Sequence, residues 1–447
     1  MIVMKFGGSS LANAERIRHV ADIINMFVSD RPVIVASAMG KTTDNLLAAA
    51  EMALSGKVCI EEISRLHFAV AEELWVDRTG LVTLLDELHK LLEGIALIRE
   101  ISNRTRDYLV SFGERLSVRI LAAYLCNAGI KAEFFDAWDI GFTSNSDFTD
   151  ADVLEETYAK IAASLGNLKS DYAFTPVVTG FIAKDLNANI TTLGRGGSDL
   201  TASILGAALS VDEIQVWKDV DGILTTDPRV VACAWPVTKI SFEEASELAY
   251  FGAKVLHPRS ILPAMARNIP VRVKNSYNPA HPGTLIVKNF DDKDELLRVL
   301  TFKKNVTLVD IVSTRMLGQY GFLARVFQLF DEQKISVDML ATSEVSISLT
   351  LDSKNGGLEK LKTELEKIAN VNIKSGKTII TMVGNVKHSS EILEKTFDVL
   401  NRSGINVQMI SQGASKVNIS FIVDDNQAET CIVELHRAFF EAAPPAA

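Results

Sequence analysis

In the segment Thr191 to Ala202, an arginine lies among three glycines, and an aspartate follows at the start of an apolar run. The planar guanidinium of Arg195 suits a carboxylate, and the glycines allow the backbone to approach a ligand closely. The carboxylate of Asp199 can hold a cation or an ammonium group. The segment therefore predicts a site that binds an amino acid or an anion.

A lysine precedes a pair of glycines near the N-terminus, at Lys5, Gly7 and Gly8. These residues follow a predicted strand and precede a helix that buries Ile17 and Val20 at helical spacing. A glycine turn at the start of a helix, beside a lysine, suits phosphate oxygens. A plain turn explains the two glycines equally well.

The sequence Gly40-Lys41-Thr42 is like the end of a P-loop, but the first glycine of that motif would fall on Val35. A Walker A loop is therefore excluded, and an ATP site must be built in another way. By themselves, Thr42, Thr43 and Asp44 favour a helix cap.

Three further segments place polar residues between apolar runs, at 110–115, 217–229 and 251–258. The second contains acids, threonines and an arginine after a predicted strand, a set that could hold magnesium and triphosphate. Each segment also has a structural explanation. Glu114 can be an exposed helical residue, Asp221-Gly222 a turn, and His257-Pro258 a helix boundary.

The size and charge of the chain limit the kinds of protein that it can be. Its 447 residues, of which 47% are hydrophobic, predict two or three domains with buried cores. A net charge of -10 argues against nucleic acid or an anionic membrane as the main partner. Because no apolar run approaches the ~18 residues that cross a bilayer, we expect a cytoplasmic enzyme that acts on small molecules.

The four cysteines are far apart in sequence, with no CxxC pair and no neighbouring histidine. This spacing argues against a zinc site, a redox motif or a disulfide framework. It predicts buried, reduced thiols.

Residues 1–290 alternate β-rich runs with helical patterns, which is typical of an α/β fold with a mainly parallel central sheet. A long helical stretch from Asp44 to Cys126 separates the second strand from the third, and Gly129 is placed as a helix stop. The predicted strands are Ile2 to Phe6, Pro32 to Ala38, Lys131 to Asp136, Ala173 to Thr179, Glu213 to Trp217 and Pro270 to Val273.

The remainder of the chain contains an internal repeat of about 70 residues, after a charged linker near Lys288 to Glu295. Each copy has the ferredoxin-like order of strands and helices. We expect copies at 306–376 and 377–442, preceded by a linker and strand at 291–305. The spare strand Arg298 to Phe302 is predicted to complete the second copy, so that one repeat is nested inside the other.

These segments, in order, resemble the aspartate kinases of the amino-acid kinase superfamily. The resemblance rests on KFGGSS, VSFGE, TTLGRGGSD, KDVDGI with TTDPR, and FGAKVLHP, and continues through the repeated tail. It is strongest to the monofunctional, lysine-sensitive type. It implies the three-layer amino-acid kinase fold followed by two ferredoxin-like ACT domains.

The resemblance implies transfer of a phosphoryl group from ATP to the β-carboxylate of L-aspartate, the first step of lysine, threonine and methionine biosynthesis. A carboxylate with a reference pKa near ~3.9 is already ionised at neutral pH, so it needs no general base. Catalysis would rest on positioning and on cations. Mg2+ would be held mainly by ATP, and no protein side chain is assigned to it.

The resemblance also assigns roles to individual residues. Lys5, Arg195 and Asp199 would be catalytic. Acidic groups at Glu114 and Asp199 would favour a free ammonium group, which acetylglutamate lacks. The aspartate site would comprise Thr43, Glu114, Arg195, Ser198 and Asp199, and the nucleotide site Lys5, Gly7, Gly8, Lys218, Asp219, Leu224, Arg229, Lys254 and Val255.

In the tail, the resemblance implies feedback inhibition by L-lysine bound between ACT domains, and a homodimer or a tetramer. Solvated loop charges are the structural alternative for the acids in this set. The expected contacts are Met316, Gln319, Phe322, Leu323, Val337, Asp338, Ser343 and Glu344.

A different class of function is a non-catalytic amino-acid sensor with a decayed kinase domain. Its mark would be the loss of Lys5, Arg195 or Asp199, and all three are present.

Overall fold

The computed structural model describes residues 1–251, 256–290, 295–313, 320–352, 357–412 and 417–441. The chain divides into two compact units. The first contains Met1–Ile223, Thr238–Ser246 and the segment that ends at Phe290. The second contains the C-terminal repeats together with Leu224–Val237 and a short segment from Glu247, two stretches that the sequence analysis assigns to the domain at 1–290.

The first unit is built on an eight-stranded, mainly parallel sheet with the order β3-β5-β2-β1-β8-β10-β11-β9. Only the β10–β11 pair is antiparallel. A small sheet of β4, β6 and β7 lies beside it. The strands are β1 (Ile2–Phe6), β2 (Pro32–Ala36), β3 (Ala132–Phe135), β4 (Thr143–Ser144), β5 (Thr175–Thr179), β6 (Ile182–Asp185), β7 (Ile190–Thr192), β8 (Glu213–Lys218), β9 (Lys239–Ser241), β10 (Val271–Asn275) and β11 (Thr284–Val287).

Helices pack in two groups in this part of the chain. Helices α1 to α5 share one apolar core with the sheet, whereas α7 packs against α6 and α9. The three-layer α/β fold is therefore confirmed. The helices are α1 (Ala14–Met26), α2 (Thr42–Leu54), α3 (Glu61–Glu73), α4 (Thr79–Ile98), α5 (Asn103–Asn127), α6 (Glu156–Leu165), α7 (Gly197–Leu209), α8 (Phe242–Tyr250) and α9 (Pro258–Ala266).

All six predicted strands are present, with bounds that shift by up to two residues. The predicted helical stretch is confirmed as α2 to α5, and Gly129 follows α5 with a φ of 86°. The short strands β4, β6, β7 and β9 and the antiparallel strand β11 were not predicted. Strands of two to four residues carry too few side chains for a clear alternating pattern.

The second unit contains a six-stranded antiparallel sheet with the order β13-β14-β12-β15-β17-β16. Among the described residues, one apolar core of each repeat lies against it, and a third apolar cluster includes Val306, Ile379 and Ile422 of the sheet itself. The strands are β12 (Leu297–Val312), β13 (Met339–Thr342), β14 (Ser346–Asp352), β15 (Asn370–Gly384), β16 (Met409–Ser411) and β17 (Asn418–Asp424), and the helices are α10 (Phe322–Glu332), α11 (Leu358–Glu366), α12 (Ser389–Arg402) and α13 (Ala428–His436).

The long strands β12 and β15 each serve both repeats. The first part of β12 pairs with the second part of β15, with Leu300 opposite Met382. The second part of β12 pairs with the beginning of β15, with Val309 opposite Ile373, and also with β14 of the first repeat. Strand 298–302 thus lies beside the strand that opens the second repeat, which is the pairing that nested repeats require.

The prediction of buried cysteines is wrong for two positions. All four cysteines are free, but Cys126 and Cys233 are exposed and Cys59 is half-buried, whereas Cys431 is buried. Among the described residues, no helix has both the length and the apolar composition that would carry it across a bilayer.

Candidate active site

A cavity of about 350 Å³ lies in the first unit, beyond the C-terminal ends of β1 and β2. In sheets with parallel strands, this edge is the usual place for a ligand. The cavity is lined by Lys5, Gly8, Ser37, Ala38, Gly40, Thr43, Glu114, Phe181, Gly194, Gly196, Gly197, Ser198 and Asp199.

Two lysines converge on one aspartate at this cavity. Lys5 Nζ lies 2.6 Å from Asp199 Oδ1, and Lys218 Nζ lies 3.5 Å from Asp199 Oδ2. Lys5 extends from β1, Lys218 ends the neighbouring strand β8, and Asp199 lies in the first turn of α7. The parallel pairing of β1 with β8 thus brings together residues that are distant in sequence.

The electrostatics of this cluster keep Asp199 ionised. Burial alone would raise the pKa of Asp199, but Lys5 and Lys218 outweigh it and hold that pKa below its usual value. Burial lowers the pKa of Lys218, and Asp199 opposes that effect. The cluster carries a net positive charge, because two ammonium groups face one carboxylate, and so it favours an anion.

Glu114 behaves differently from Asp199. It lies in α5 and is only 4% exposed, so the interpretation as an exposed helical residue is wrong. The Ala38 N–H donates to Glu114 Oε1 at 3.1 Å, while Oε2 has no hydrogen-bond partner among the described residues. Burial raises the pKa of Glu114 to about 8, although the Ala38 N–H and the charge of Lys5 lower it in part.

Helix α2 begins at the cavity, where Thr43 lies in its first turn. The interpretation of Thr42 as a cap is wrong, because Thr42 Oγ1 donates to Met39 O at 2.6 Å and no side chain caps the helix. Helix α7 also begins here, at Gly197. Two helix N-termini at one cavity favour negatively charged groups.

Two glycines have no room for a side chain. A Cβ on Gly8 would lie 2.7 Å from Ala38 O, where the loops after β1 and β2 meet. Gly196 has a φ of 72°, and its Cβ would lie 2.6 Å from His257 Cβ. Gly8 requires glycine because the backbones approach closely, and Gly196 requires it because of its positive φ and the nearby His257 side chain.

The end of β8 is held by a polar network within the first unit. Ser276 Oγ accepts from Arg16 Nη2 at 3.0 Å and lies 3.0 Å from Lys218 O. Farther along, the amides of Asn275 and Asn278 donate to Asp221 Oδ1 at 2.9 and 3.1 Å. Asp221 therefore acts as a structural acceptor, which agrees with its interpretation as part of a turn.

The residues predicted to bind substrate and nucleotide do not all lie at the cavity. Arg195 and Asp219 are exposed and do not line the cavity. Leu224 and Arg229 belong to the second unit, where Arg229 Nη2 lies 2.6 Å from Asp227 Oδ2. Lys254 and Val255 lie outside the described residues. The cavity thus brings together Lys5, Gly8, Thr43, Glu114, Ser198 and Asp199.

Several residues of the site were missed by sequence reasoning. Phe181 lines the cavity with a φ of 71°, a left-handed backbone that a bulky residue rarely adopts. Asp107 is buried beneath the segment before Arg195 and accepts from Thr192 N at 3.0 Å and from Thr192 Oγ1 at 2.8 Å. No local pattern marks either residue, although Phe181 follows a strand and a glycine.

The predicted lysine-binding residues are only partly described. Met316 and Gln319 lie outside the described residues. Asp338 is paired with Lys303, whose Nζ lies 2.7 Å from Asp338 Oδ2. Ser343 Oγ lies 2.7 Å from Ser346 Oγ, and Glu344 is exposed. Phe322 and Leu323 begin α10, and Val337 is half-buried.

The sequence and the fold have close counterparts among known proteins. Residues 1–275 match the amino acid kinase family, and residues 309–358 and 380–439 match the ACT domain. The chain is 56% identical to aspartokinase 1, chloroplastic, of Arabidopsis thaliana, over 98% of this chain and 80% of that protein. The chain belongs to the aspartokinase family. As a member of this family it is a kinase.

Solved structures of aspartokinases share its architecture. Aspartokinase III of E. coli in complex with aspartate and ADP has a TM-score of 0.81 and 34% identity, covering 98% of this chain and 100% of that one. The same E. coli enzyme in complex with lysine and aspartate has a TM-score of 0.79 and 34% identity, covering 98% and 99%.

Proposed function

We propose that this chain transfers the γ-phosphoryl group of ATP to the β-carboxylate of L-aspartate, giving 4-phospho-L-aspartate and ADP, as the first step of lysine, threonine and methionine biosynthesis. The observation that carries the proposal is the convergence of Lys5 and Lys218 on Asp199, beside Glu114, at one cavity. The aspartate and ADP bound to the E. coli relative support the choice of substrates.

The two lysines supply the positive charge that the reaction needs. Phosphoryl transfer between two anions depends on charge neutralisation and positioning more than on proton transfer. Each ammonium group has three donors, so Lys5 can contact Asp199 and a phosphate oxygen at the same time. Asp199 then acts as a positioning residue that holds both lysines beside the phosphates.

Glu114 is the better candidate for the ammonium group of the substrate. Asp199 is already paired with two lysines, whereas Glu114 lines the same cavity and its Oε2 has no hydrogen-bond partner in the part of the chain that the structure describes. An ammonium group at Oε2 would favour the ionised carboxylate and release its proton. This assignment changes the sequence-based expectation, in which Asp199 shared that role.

The carboxylates of the substrate would lie near the two helix N-termini. Thr43 in α2 and Ser198 in α7 offer hydroxyl and backbone donors at the cavity. Arg195, one residue before Gly196, is exposed and so is accessible to a carboxylate of the bound substrate. The nucleotide would extend past Gly7 and Gly8 toward Lys218 and Asp219.

Mg2+ would be held mainly by the phosphates of ATP, where it neutralises their charge. The carboxylates that line the cavity agree with this. Glu114 has a raised pKa, and Asp199 is paired with two lysines. Neither is left as a free anionic ligand for a divalent cation.

A coupled assay of ADP release tests the activity. With Mg2+, ATP and L-aspartate, the purified chain is expected to release ADP at a rate that depends on aspartate. A rate that is the same with and without aspartate would refute the proposal.

We propose that L-lysine inhibits the enzyme by binding to the ACT repeats of a homodimer or a tetramer. The support is the E. coli relative in complex with lysine and aspartate. Inhibition requires lysine to bind one conformation better than another. Initial rates with lysine, threonine or methionine identify the effector, and light scattering gives the oligomeric state. A rate that none of the three amino acids changes, relative to the rate without them, would remove the sensing proposal.

The cytoplasmic location is also a proposal. The similarity to a protein named as chloroplastic makes a plastid the alternative. Fractionation of the source cells, followed by detection of the chain, distinguishes the two.

A further inference from the structure

A cysteine, a histidine and a glutamate meet in the second unit. Their candidate ligand atoms, in Cys233, His436 and Glu441, all lie within 4.8 Å of one another. Cys233 lies in the segment 224–237, His436 ends α13, and Glu441 follows it. We propose that these three side chains form a binding site for a thiophilic divalent metal ion such as Zn2+.

The distances within the cluster suit a tetrahedral ion. Glu441 Oε1 lies 3.2 Å from Cys233 Sγ and 3.1 Å from His436 Nδ1. Zinc bonds of about 2.0 to 2.3 Å in a tetrahedron place neighbouring ligand atoms roughly 3.3 to 3.8 Å apart. Small rotations of the two exposed side chains, Cys233 and Glu441, would open the site to that size.

The histidine is held in the orientation that a metal ligand needs. His436 is fully buried, and its Nε2 lies 3.0 Å from Thr225 Oγ1. The ring stacks on Phe440 at 4.7 Å between centroids and meets Trp235 edge-on at 5.5 Å. A partner on Nε2 and packing on both sides leave Nδ1 directed at the other two ligands, as is usual for metal-binding histidines.

The mixture of donors selects the kind of ion. A thiolate, an imidazole and a carboxylate suit Zn2+ and similar ions, whereas Mg2+ prefers oxygen ligands alone. A cysteine binds such an ion as the thiolate, so metal binding would release the thiol proton to solvent. Water would complete the coordination.

The site would join the segment 224–237 to the C-terminal end of the chain. That segment already contacts the C-terminal part of its unit, because Val231 and Trp235 belong to the same apolar core as Ile432 and Leu435. The inference concerns metal binding alone and does not depend on the proposed phosphoryl transfer.

A cobalt titration of the full chain, without nucleotide, tests the site. Co2+ is expected to bind with one equivalent and to produce a thiolate-to-cobalt charge-transfer band. Zn2+ should abolish the band by displacement, and a large excess of Mg2+ should leave it unchanged. The absence of the band would overturn the proposal.

Two variants and a matched control locate the ligands. Cys233→Ser is expected to remove the band, and Glu441→Gln to weaken binding by about tenfold or more. Cys126→Ser, at the other exposed cysteine, should keep both the band and the affinity. Circular dichroism establishes that each variant is folded. A band that persists in Cys233→Ser, or disappears in Cys126→Ser, would place the metal elsewhere and refute the site.

Discussion

Lys5 Nζ lies 2.6 Å from Asp199 Oδ1, within a cluster in which Lys218 approaches the second oxygen of the same carboxylate. Sequence motifs identified all three residues but assigned Asp199 to the substrate and the lysines to the nucleotide. Their pairing indicates one unit instead, in which a buried aspartate holds two cations at the place where phosphate charge would develop.

Lys5→Ala is expected to lower kcat for aspartate-dependent ADP release by about 100-fold to 1000-fold, because a preorganised cation is lost. Arg195→Ala should also lower the rate strongly, through loss of the proposed contact with a substrate carboxylate. Lys90→Ala, at an exposed lysine of α4, is the matched control and should keep the full rate. Near-normal turnover in Lys5→Ala with a folded protein would contradict the proposed role of the cluster.

The KM for aspartate should depend on the ionisation of Glu114. The pKa of Glu114 is about 8, so at lower pH the free enzyme holds this side chain protonated. The ammonium group of aspartate, in contrast, would bind the ionised carboxylate. The apparent KM is therefore expected to fall about tenfold for each pH unit up to pH 8 and then to level off. Initial rates across aspartate concentrations at each pH measure it.

Glu114→Gln serves as the control for this profile. Its KM should be high and nearly independent of pH, because no proton is exchanged at position 114. A wild-type KM that is flat between pH 6 and 8, or a profile that Glu114→Gln retains, would exclude Glu114 as the ammonium site.

The same group should make stability depend on pH. A carboxyl group whose pKa is higher in the folded protein binds more protons there than in the unfolded chain, between its ordinary pKa of 4.5 and about 8. Folding stability should therefore fall as pH rises through that window, by an amount on the order of a few kcal/mol. Urea unfolding should show the fall in the wild type and a smaller one in Glu114→Gln. If the free energy of unfolding fell equally with pH in the wild type and in Glu114→Gln, the raised pKa of Glu114 would be contradicted.

Gly8→Ala tests the close approach of the two loops at the cavity. The added Cβ would lie 2.7 Å from Ala38 O, a backbone atom that cannot move aside easily. Displacement of the phosphate-binding turn is expected to reduce kcat/KM for ATP by about 100-fold. Gly94→Ala, which meets nothing within 4 Å in helix α4, should keep full activity and gain about 1 kcal/mol of stability. Equal activity of the two variants would refute the steric argument.

Asp338 should decide the response to lysine. Its carboxylate is occupied by Lys303 in the structure, so the ammonium group of an effector would have to share or replace that contact. Asp338→Asn is expected to raise the half-inhibitory lysine concentration about tenfold or more, since a charge-assisted contact is lost. Asp331→Asn, at an exposed acid of α10, is the control. Each rate is divided by the lysine-free rate of the same variant. An unchanged half-inhibitory lysine concentration in Asp338→Asn would exclude Asp338 from the lysine site.

The sequence predicted the strands and helices well where apolar patterns are long. It also located loops that line the cavity, because Gly8 and the glycines around Arg195 follow or precede such elements. Contacts between residues that are far apart in sequence could not be predicted from such local patterns. The contacts of Lys5 with Asp199, and of Asp107 with Thr192, depend on the order of strands and helices in three dimensions.

The cysteines illustrate the same limit. Spacing along the chain argued against a metal site, since no histidine is close to Cys233 in sequence. Folding brings His436 and Glu441 to it from the end of the chain. Local spacing detects metal sites built from one short segment, and it does not detect those built from two.

The most direct test of the central claim is a hydroxamate assay, in which hydroxylamine traps the acyl phosphate formed with ATP and Mg2+. L-aspartate, L-glutamate and N-acetylglutamate are compared at equal concentration. Aspartate alone is expected to give the hydroxamate, and N-acetylglutamate in particular should give none, because Glu114 is proposed to bind a free ammonium group. Equal or greater hydroxamate from N-acetylglutamate would contradict the assignment of the site to aspartate.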